Sequence, residues 1–277
     1  MRGTTRDWSW SSRPPRPLPS LGEIRVLPRM VFDTIDSTSA QARRMIESLG
    51  GRLDGPRLLV AQTQTGGVGR FGRPWASPRG GLWCTLVWPV PEGEDAAAVV
   101  SGLGIRVGVA LWETVVQAVQ RRWAESAVRI KWPNDILIDG RKVAGVLTEV
   151  LRRDGRTFIL VGVGINANLA AADLPPDVAP TSTTIRDELG TEVDVGRLET
   201  DLVRRLHRAL SGQGLDFISL MTARRQLHGI GQPARITLPD GNMIAGAIVG
   251  LTDDGTPVLR TEKGQVVLPP GCDIVQS

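Results

Sequence analysis

The sequence predicts an α/β (α+β) protein: mixed strands and helices to about residue 228, then a small all-β unit of the SH3-like barrel type. Three observations predict it. Asp-Gly pairs sit between apolar runs at 139–140 and 154–155, and both residues tolerate the positive φ of a hairpin turn. Residues 194–210 carry helical periodicity. From Gly231 the texture becomes five short strands with turns at Asp240-Gly241, Asp254-Gly255 and Lys263-Gly264.

Residues 1–22 read as a flexible leader, rich in proline, arginine and serine and without an apolar period. A short strand begins at Val31 and ends at Asp36. Ser37-Thr38-Ser39 then opens a helix to about Leu49, with a hydroxyl cap at its start and Gly50-Gly51 at its stop. Residues 58–62 and 82–88 are apolar strands, and one long helix is expected from Asp95 to about Arg121. A strand at 128–131 leads into the two Asp-Gly hairpins. A shorter helix is expected at about 214–225, giving divisions at 1–22, 23–228 and 229–277.

At 277 residues and 41% hydrophobic, the chain is long and apolar enough to build a core. The net charge of +4 comes from scattered arginines without a basic block, which argues against a nucleic-acid arm. Cys84 and Cys272 show no metal or disulfide spacing, and His207 and His228 assemble no site, so no protein-bound metal is expected. No secretory h-region and no run of about 18 apolar residues occurs, which points to a cytoplasmic protein without a membrane span.

Three segments carry chemistry. In Gln64-Thr65-Gly66-Gly67-Val68-Gly69-Arg70-Phe71-Gly72-Arg73-Pro74-Trp75, positions 67–72 satisfy the dinucleotide-binding glycine pattern. That pattern needs a helix directly after the glycines, and Pro74, Pro78 and Gly80-Gly81 deny it one. A plain connecting loop leaves Arg70 and Arg73 unexplained, whereas glycines admit a ligand to the backbone and guanidinium forks grip anions. The segment therefore reads as an anion-wrapping loop. The second, Lys131-Trp132-Pro133-Asn134-Asp135 followed by Arg141-Lys142-Val143-Ala144-Gly145, holds two of only three lysines in the chain; neighbouring hairpin strands would turn both to one cleft, a reading preferred to the alternative of lysines capping strand ends on the surface. The third is Gly162-Val163-Gly164-Ile165-Asn166, where Asn166 is a polar candidate that by itself would more often be a turn residue.

Taken in order, Asp36-Ser37-Thr38, the glycine-arginine loop ending in Trp75, Lys131 to Asp135, Arg141 to Gly145 and Gly162 to Asn166 closely resemble the biotin–protein ligases, from about residue 31 onward. The resemblance implies a class II synthetase-like mixed β-sheet with helices on one face, plus the terminal SH3-like barrel. It implies ATP-dependent activation of biotin as an adenylate, with Mg2+, and transfer to a lysine of a biotin carboxyl carrier protein or domain. It places Ser37, Thr38 and Gln64 at the ureido ring, with Ser39 and Trp75 among the binding residues. The loop Gly67, Val68, Gly69, Arg70 and Arg73 would close over biotin and adenylate, with Arg70 on the phosphate. Lys142 would contact the activated carboxyl and phosphate, with Lys131 nearby, and Asp135 would meet the acceptor lysine. Asn166 would line the nucleotide side, and Gly145, Gly162 and Gly164 would let the ligand lie against backbone. Two departures stand out: Val68 where many members carry Arg, Lys or His, and Ser39 where they usually carry Asn.

Some members add an N-terminal winged helix-turn-helix and act as repressors. Only 36 residues precede Ser37 in this sequence, and the stretch before Val31 is proline-rich, so a ligase without DNA binding is expected. Lipoate or octanoyl transfer uses a related fold, but the Lys131–Asp135 segment together with the terminal barrel favours biotin. A non-catalytic adaptor built on the barrel would leave the arginine loop and both lysines without a purpose. Monomer and homodimer are equally compatible with the sequence.

Overall fold

The computed structural model describes residues 27–133 and 135–276, so the expected leader at 1–22 and Asn134 lie outside the described residues. The first sheet contains seven strands: β1 (Arg29–Ile35), β2 (Arg57–Gln64), β3 (Leu82–Pro89), β4 (Val128–Lys131), β5 (Asp135–Ile138), β6 (Arg141–Arg153) and β7 (Arg156–Ile165). Their spatial order is β1-β2-β3-β7-β6-β5-β4, and only the β1–β2 pair is parallel. The β5–β6 and β6–β7 turns use Asp139 at φ 47° with Gly140 at 76° and Asp154 at 48° with Gly155 at 76°, the positive-φ pairs expected of two-residue hairpins.

Helix α1 (Thr38–Ser48) links β1 to β2 and is capped by Ser37, whose hydroxyl accepts from the Ala40 amide. The expected helix from Asp95 to Arg121 is two: α2 (Ala96–Val100) and α3 (Leu103–Val119). The break falls at Gly102, which is left-handed at φ 63° and lies so close to Leu215 that a Cβ would come within 2.5 Å of it. Buried Arg106 holds this break, donating to the carbonyls of Val99, Ser101, Ala209 and Gly212. Helix α4 (Ile185–Leu189) was not expected. Helices α5 (Val195–Ser211) and α6 (Phe217–Gln226) follow, each opened by an aspartate cap, with α6 starting three residues later than its pattern suggests.

The strands alternate between two apolar layers, as their two-residue period requires. Leu58, Val60, Cys84 and Leu86 join the large core with Val107, Leu111, Leu202 and Leu206 of α3 and α5. Leu59, Val87, Phe158 and Leu160 instead join Ala42 and Ile46 of α1. Helices therefore cover both faces, which corrects the expectation of helices on one face. A cavity opens on the α1 face.

The second sheet contains β8 (Pro233–Thr237), β9 (Met243–Leu251), β10 (Pro257–Thr261), β11 (Gly264–Val267) and β12 (Asp273–Gln276), ordered β11-β10-β9-β8-β12 and antiparallel throughout. The three expected turn glycines, Gly241, Gly255 and Gly264, all have positive φ. Ala234, Ile236, Ile248 and Leu259 of this sheet share the large core with α3 and α5. Among the described residues, no helix is long and apolar enough to cross a membrane.

Candidate functional site

On the α1 face, a cavity of about 450 Å³ opens between the first sheet, the glycine-arginine loop and the start of β12. Its floor is glycine. A Cβ at Gly162 would stand 2.7 Å from Ser39 Oγ; one at Gly164 would stand 2.5 Å from Trp75 Nε1; one at Gly145 would meet the same indole at 3.1 Å. Gly145 and Gly164 are register partners in β6 and β7, and Gly162 lies two residues along on the same face. The glycines thus let Ser39 and the Trp75 indole pack directly against the strand backbone.

One wall is neutral and hydrogen-bonding. Gln64 Oε1 accepts from the Thr38 amide at 2.8 Å and from Thr38 Oγ1 at 3.0 Å, while Gln64 Nε2 donates to Ser77 Oγ at 2.9 Å. Ser37 and Ser39 complete this wall. Behind it Asp36 accepts from the Ser37 amide and pairs with Arg44 at 2.7 Å. The Arg44 guanidinium, then the Ser37 amide, hold the Asp36 carboxyl down at about 2. Because this folded-state pKa is depressed, the contact is complete above the ordinary carboxylate range and is lost as pH falls toward 2. Carboxyl NMR titration of Arg44→Ala is expected to show Asp36 titrating at higher pH than in the unmodified protein; an unmoved titration contradicts the assigned cause.

The other wall is cationic. Arg70, Arg73, Lys131 and Lys142 all line the cavity. Lys142 Nζ pairs with Asp135 Oδ2 at 2.7 Å and lies 4.8 Å from the centre of the Trp75 ring. Lys131 and Lys142 do face one cleft, but from β4 and β6 with β5 between them, so their strands are not neighbours. Arg70 stacks near Phe71 and Trp132 and donates to the Cys272 carbonyl at 2.8 Å, and Arg73 pairs with Asp273. Burial lowers the Arg70 pKa, with Asp273 and Asp135 opposing the shift; a guanidinium stays charged regardless. Burial pushes the Cys84 thiol far up, so the one cysteine on the cavity wall is a protonated spectator.

Of the residues singled out from the sequence, Ser37, Thr38, Ser39, Gln64, Val68, Gly69, Arg70, Arg73, Trp75, Lys131, Asp135, Lys142, Gly145, Gly162, Gly164 and Asn166 line this one cavity. Gly67 is not on its surface. A Cβ there would come within 2.4 Å of the Trp75 carbonyl and 2.8 Å of Ser77 Oγ, so Gly67 lets the loop's two ends close on each other. Asn166 is 3% exposed and donates to the Thr183 carbonyl at 3.1 Å, tying the wall to the segment before α4. Ser77, Thr85, Cys272 and Asp273 were missed. Thr85 sits in an apolar strand without a motif, and the last two reach the site from the second sheet.

The chain resembles known proteins in both fold and sequence. A family model described as the biotin/lipoate A/B protein ligase family matches residues 31–166. The solved structure of the biotin protein ligase from Aquifex aeolicus in complex with biotin and ATP superposes with a TM-score of 0.72 at 24% identity, covering 90% of this chain and 99% of that one. The Leishmania major biotin protein ligase in complex with biotinyl-5-AMP gives 0.58 at 22% identity, covering 90% and 99%. These two speak for the fold. In sequence, the bifunctional ligase/repressor BirA of Bacillus subtilis is 32% identical over 75% of this chain, which spans 62% of that relative. The biotin–acetyl-CoA-carboxylase ligase of Mycobacterium tuberculosis is 30% identical over 82% of this chain and 80% of its own length. The corresponding ligase of Paracoccus denitrificans is 32% identical over 84% of this chain and 95% of its own length. On that extent of likeness, the chain belongs to the biotin–protein ligase family.

Proposed function

We propose that the chain is an ATP-dependent biotin–protein ligase, which forms biotinyl-5'-AMP and passes biotin to a lysine of a biotin carboxyl carrier protein or domain. The observation that carries this reading is one glycine-floored cavity with two unlike walls: hydroxyls and an amide on one side, four cations on the other. Ser37, Thr38, Ser39 and Gln64 suit a neutral polar ring. Arg70, Arg73, Lys131 and Lys142 suit a carboxylate meeting a triphosphate.

The chemistry explains the charge. Attack of a carboxylate oxygen on the α-phosphorus joins two anions and expels pyrophosphate, so fixed cations lower the barrier by offsetting their repulsion. Lys142 is anchored for this by Asp135 and the Trp75 face. The mixed anhydride is sensitive to water, which gives the Arg70–Arg73 loop a purpose as a cover. In the second step the uncharged amine of the acceptor attacks the acyl carbon and AMP leaves. Asp135, released as Lys142 turns to the phosphate, orients or deprotonates that amine. Asp135→Asn is expected to slow transfer at least about tenfold while pyrophosphate exchange changes less; equal losses in both half-reactions would remove this role.

Magnesium would enter with the nucleotide. Among the described residues no three His, Cys, Asp or Glu side chains converge as a metal cage, and Asp135 is paired with Lys142. A cation held chiefly by substrate phosphates matches such a donor set. It would neutralise phosphate charge.

The division near residue 229 belongs to this reading: strands to Ile165 build the first sheet, those from Pro233 build the second, and the second supplies Asp273 and Ile274 to the cavity. The deciding experiment mixes the full chain with biotin, Mg-ATP and a biotin carboxyl carrier domain and measures the acceptor's mass. A gain of one biotinyl group is expected. Thermal stabilisation by lipoate with Mg-ATP, and none by biotin, would move the chain to lipoate chemistry.

A further inference from the structure

We infer that Thr85 is a positioning residue, whose buried hydroxyl fixes the hydrogen-bonding polarity that Ser39 and Thr38 present to the ligand's ring. The inference rests on the biotin reading of the cavity. Thr85 lies on β3, is fully buried and does not itself line the cavity. Its Oγ1 lies 2.8 Å from Thr38 Oγ1 and 3.0 Å from Ser39 Oγ.

Counting protons gives one arrangement. The Thr38 backbone N–H can only donate, and it lies 2.8 Å from one amide atom of Gln64, so that atom is the oxygen. Thr38 Oγ1 is 3.0 Å from the same oxygen, which can only accept, so the single Thr38 hydroxyl proton goes there. Thr85 must then donate to Thr38, and Ser39 must donate to Thr85. The chain runs one way: Ser39 to Thr85 to Thr38 to the Gln64 carbonyl. From the far side of the amide, Gln64 Nε2 donates to Ser77 Oγ, which in turn donates to the Trp75 carbonyl.

The consequence is a fixed pattern at the cavity wall. The Ser39 proton points inward to Thr85, so its oxygen meets a ligand as an acceptor only. Gln64 keeps one N–H beyond the one given to Ser77, a donor. A cyclic urea alternates N–H, C=O and N–H along its edge and matches an acceptor beside a donor. An analogue with oxygen in place of the N–H at Ser39 would set two acceptors face to face, leaving a desolvated polar pair unmatched.

The test uses the full chain and biotin-dependent ATP–pyrophosphate exchange, with biotin and its two cyclic-carbamate regioisomers, each carrying oxygen for one ring N–H. Thr85→Val removes the hydroxyl and frees the Ser39 proton to rotate into the cavity. Its KM for biotin is expected to rise about tenfold, the size of one lost neutral hydrogen bond, with kcat at saturating biotin and KM for ATP unchanged. Its preference for biotin over one carbamate regioisomer is expected to collapse by about the same factor. Thr85→Ser, which keeps the hydroxyl, is expected to restore both values to within about twofold. Ser39→Ala leaves Thr85 in place and is expected to lose the same discrimination, which keeps the idea testable if Thr85→Val folds poorly. Unchanged KM and discrimination in Thr85→Val, a Thr85→Ser enzyme as impaired as Thr85→Val, or retained discrimination in Ser39→Ala would each overturn the inference. An unmodified protein that shows no biotin-dependent exchange would overturn the reading of the cavity instead.

Discussion

Lys142→Ala is expected to abolish biotinyl-adenylate formation, reducing biotin-dependent pyrophosphate exchange by at least about a thousandfold. Three losses coincide in this one change. On the proposed reading, the ammonium that would face the reacting carboxyl and phosphate disappears from a site whose barrier is repulsion between anions. The Trp75 indole loses the cation lying 4.8 Å from its ring centre. Asp135 loses its 2.7 Å partner and is left as an uncompensated carboxylate beside the incoming phosphates, adding repulsion where attraction stood. Lys142→Arg is expected to recover only part of the activity, because a planar fork cannot occupy the space of a compact ammonium between a ring and a carboxylate. Pyrophosphate exchange that survives in Lys142→Ala would remove the residue from the reaction.

Gly164→Val is expected to be the most damaging change on the cavity floor. Even its first added carbon would lie 2.5 Å from Trp75 Nε1 and 2.6 Å from Cε2. The indole cannot simply slide, because Gly145 beneath its other edge leaves only 3.1 Å for a Cβ and Lys142 lies across its face. Overpacking of this kind costs about 1–3 kcal/mol in stability. The larger effect falls on binding, since the displaced ring or the valine must occupy ligand space: isothermal titration with biotin should show affinity down at least about a hundredfold. Near-normal affinity would mean that the ligand does not lie against this strand.

Much of this arrangement was legible in the sequence because the signals were local. Asp139-Gly140 and Asp154-Gly155 announced the two hairpins by their backbone freedom, and Ser37 announced the start of α1. Pro74 ruled out a dinucleotide helix, leaving an anion loop, and that loop borders the cavity. What escaped was set by tertiary contact. The break at Gly102 follows from Leu215 pressing on it, over a hundred residues away, inside an otherwise uninterrupted helical pattern. The side of the sheet on which α1 lies depends on a parallel crossover that its own eleven residues do not encode. Gly67 looked like its neighbours in the loop, yet its contact is with the Trp75 carbonyl and not with the cavity. Thr85 was hidden because β-branched threonine is an ordinary strand residue, and only the hydroxyls that converge on it in three dimensions mark it out.

The clasp of the glycine-arginine loop onto the second sheet has a consequence for how the molecule is made. Arg70 is anchored by the Cys272 carbonyl, 202 residues downstream, and Arg73 by Asp273, 200 residues downstream. Contacts that span so much chain close late, after the loop-closure entropy between them has been overcome. While the chain is still being translated, the hydroxyl wall, α1 and the glycine floor can form and Arg70 can stack on Phe71 and Trp132, but neither arginine yet has its partner beside the second sheet. A half-made protein therefore has a glycine-arginine loop that is not yet fastened, and the clasp forms only when β12 has joined its sheet.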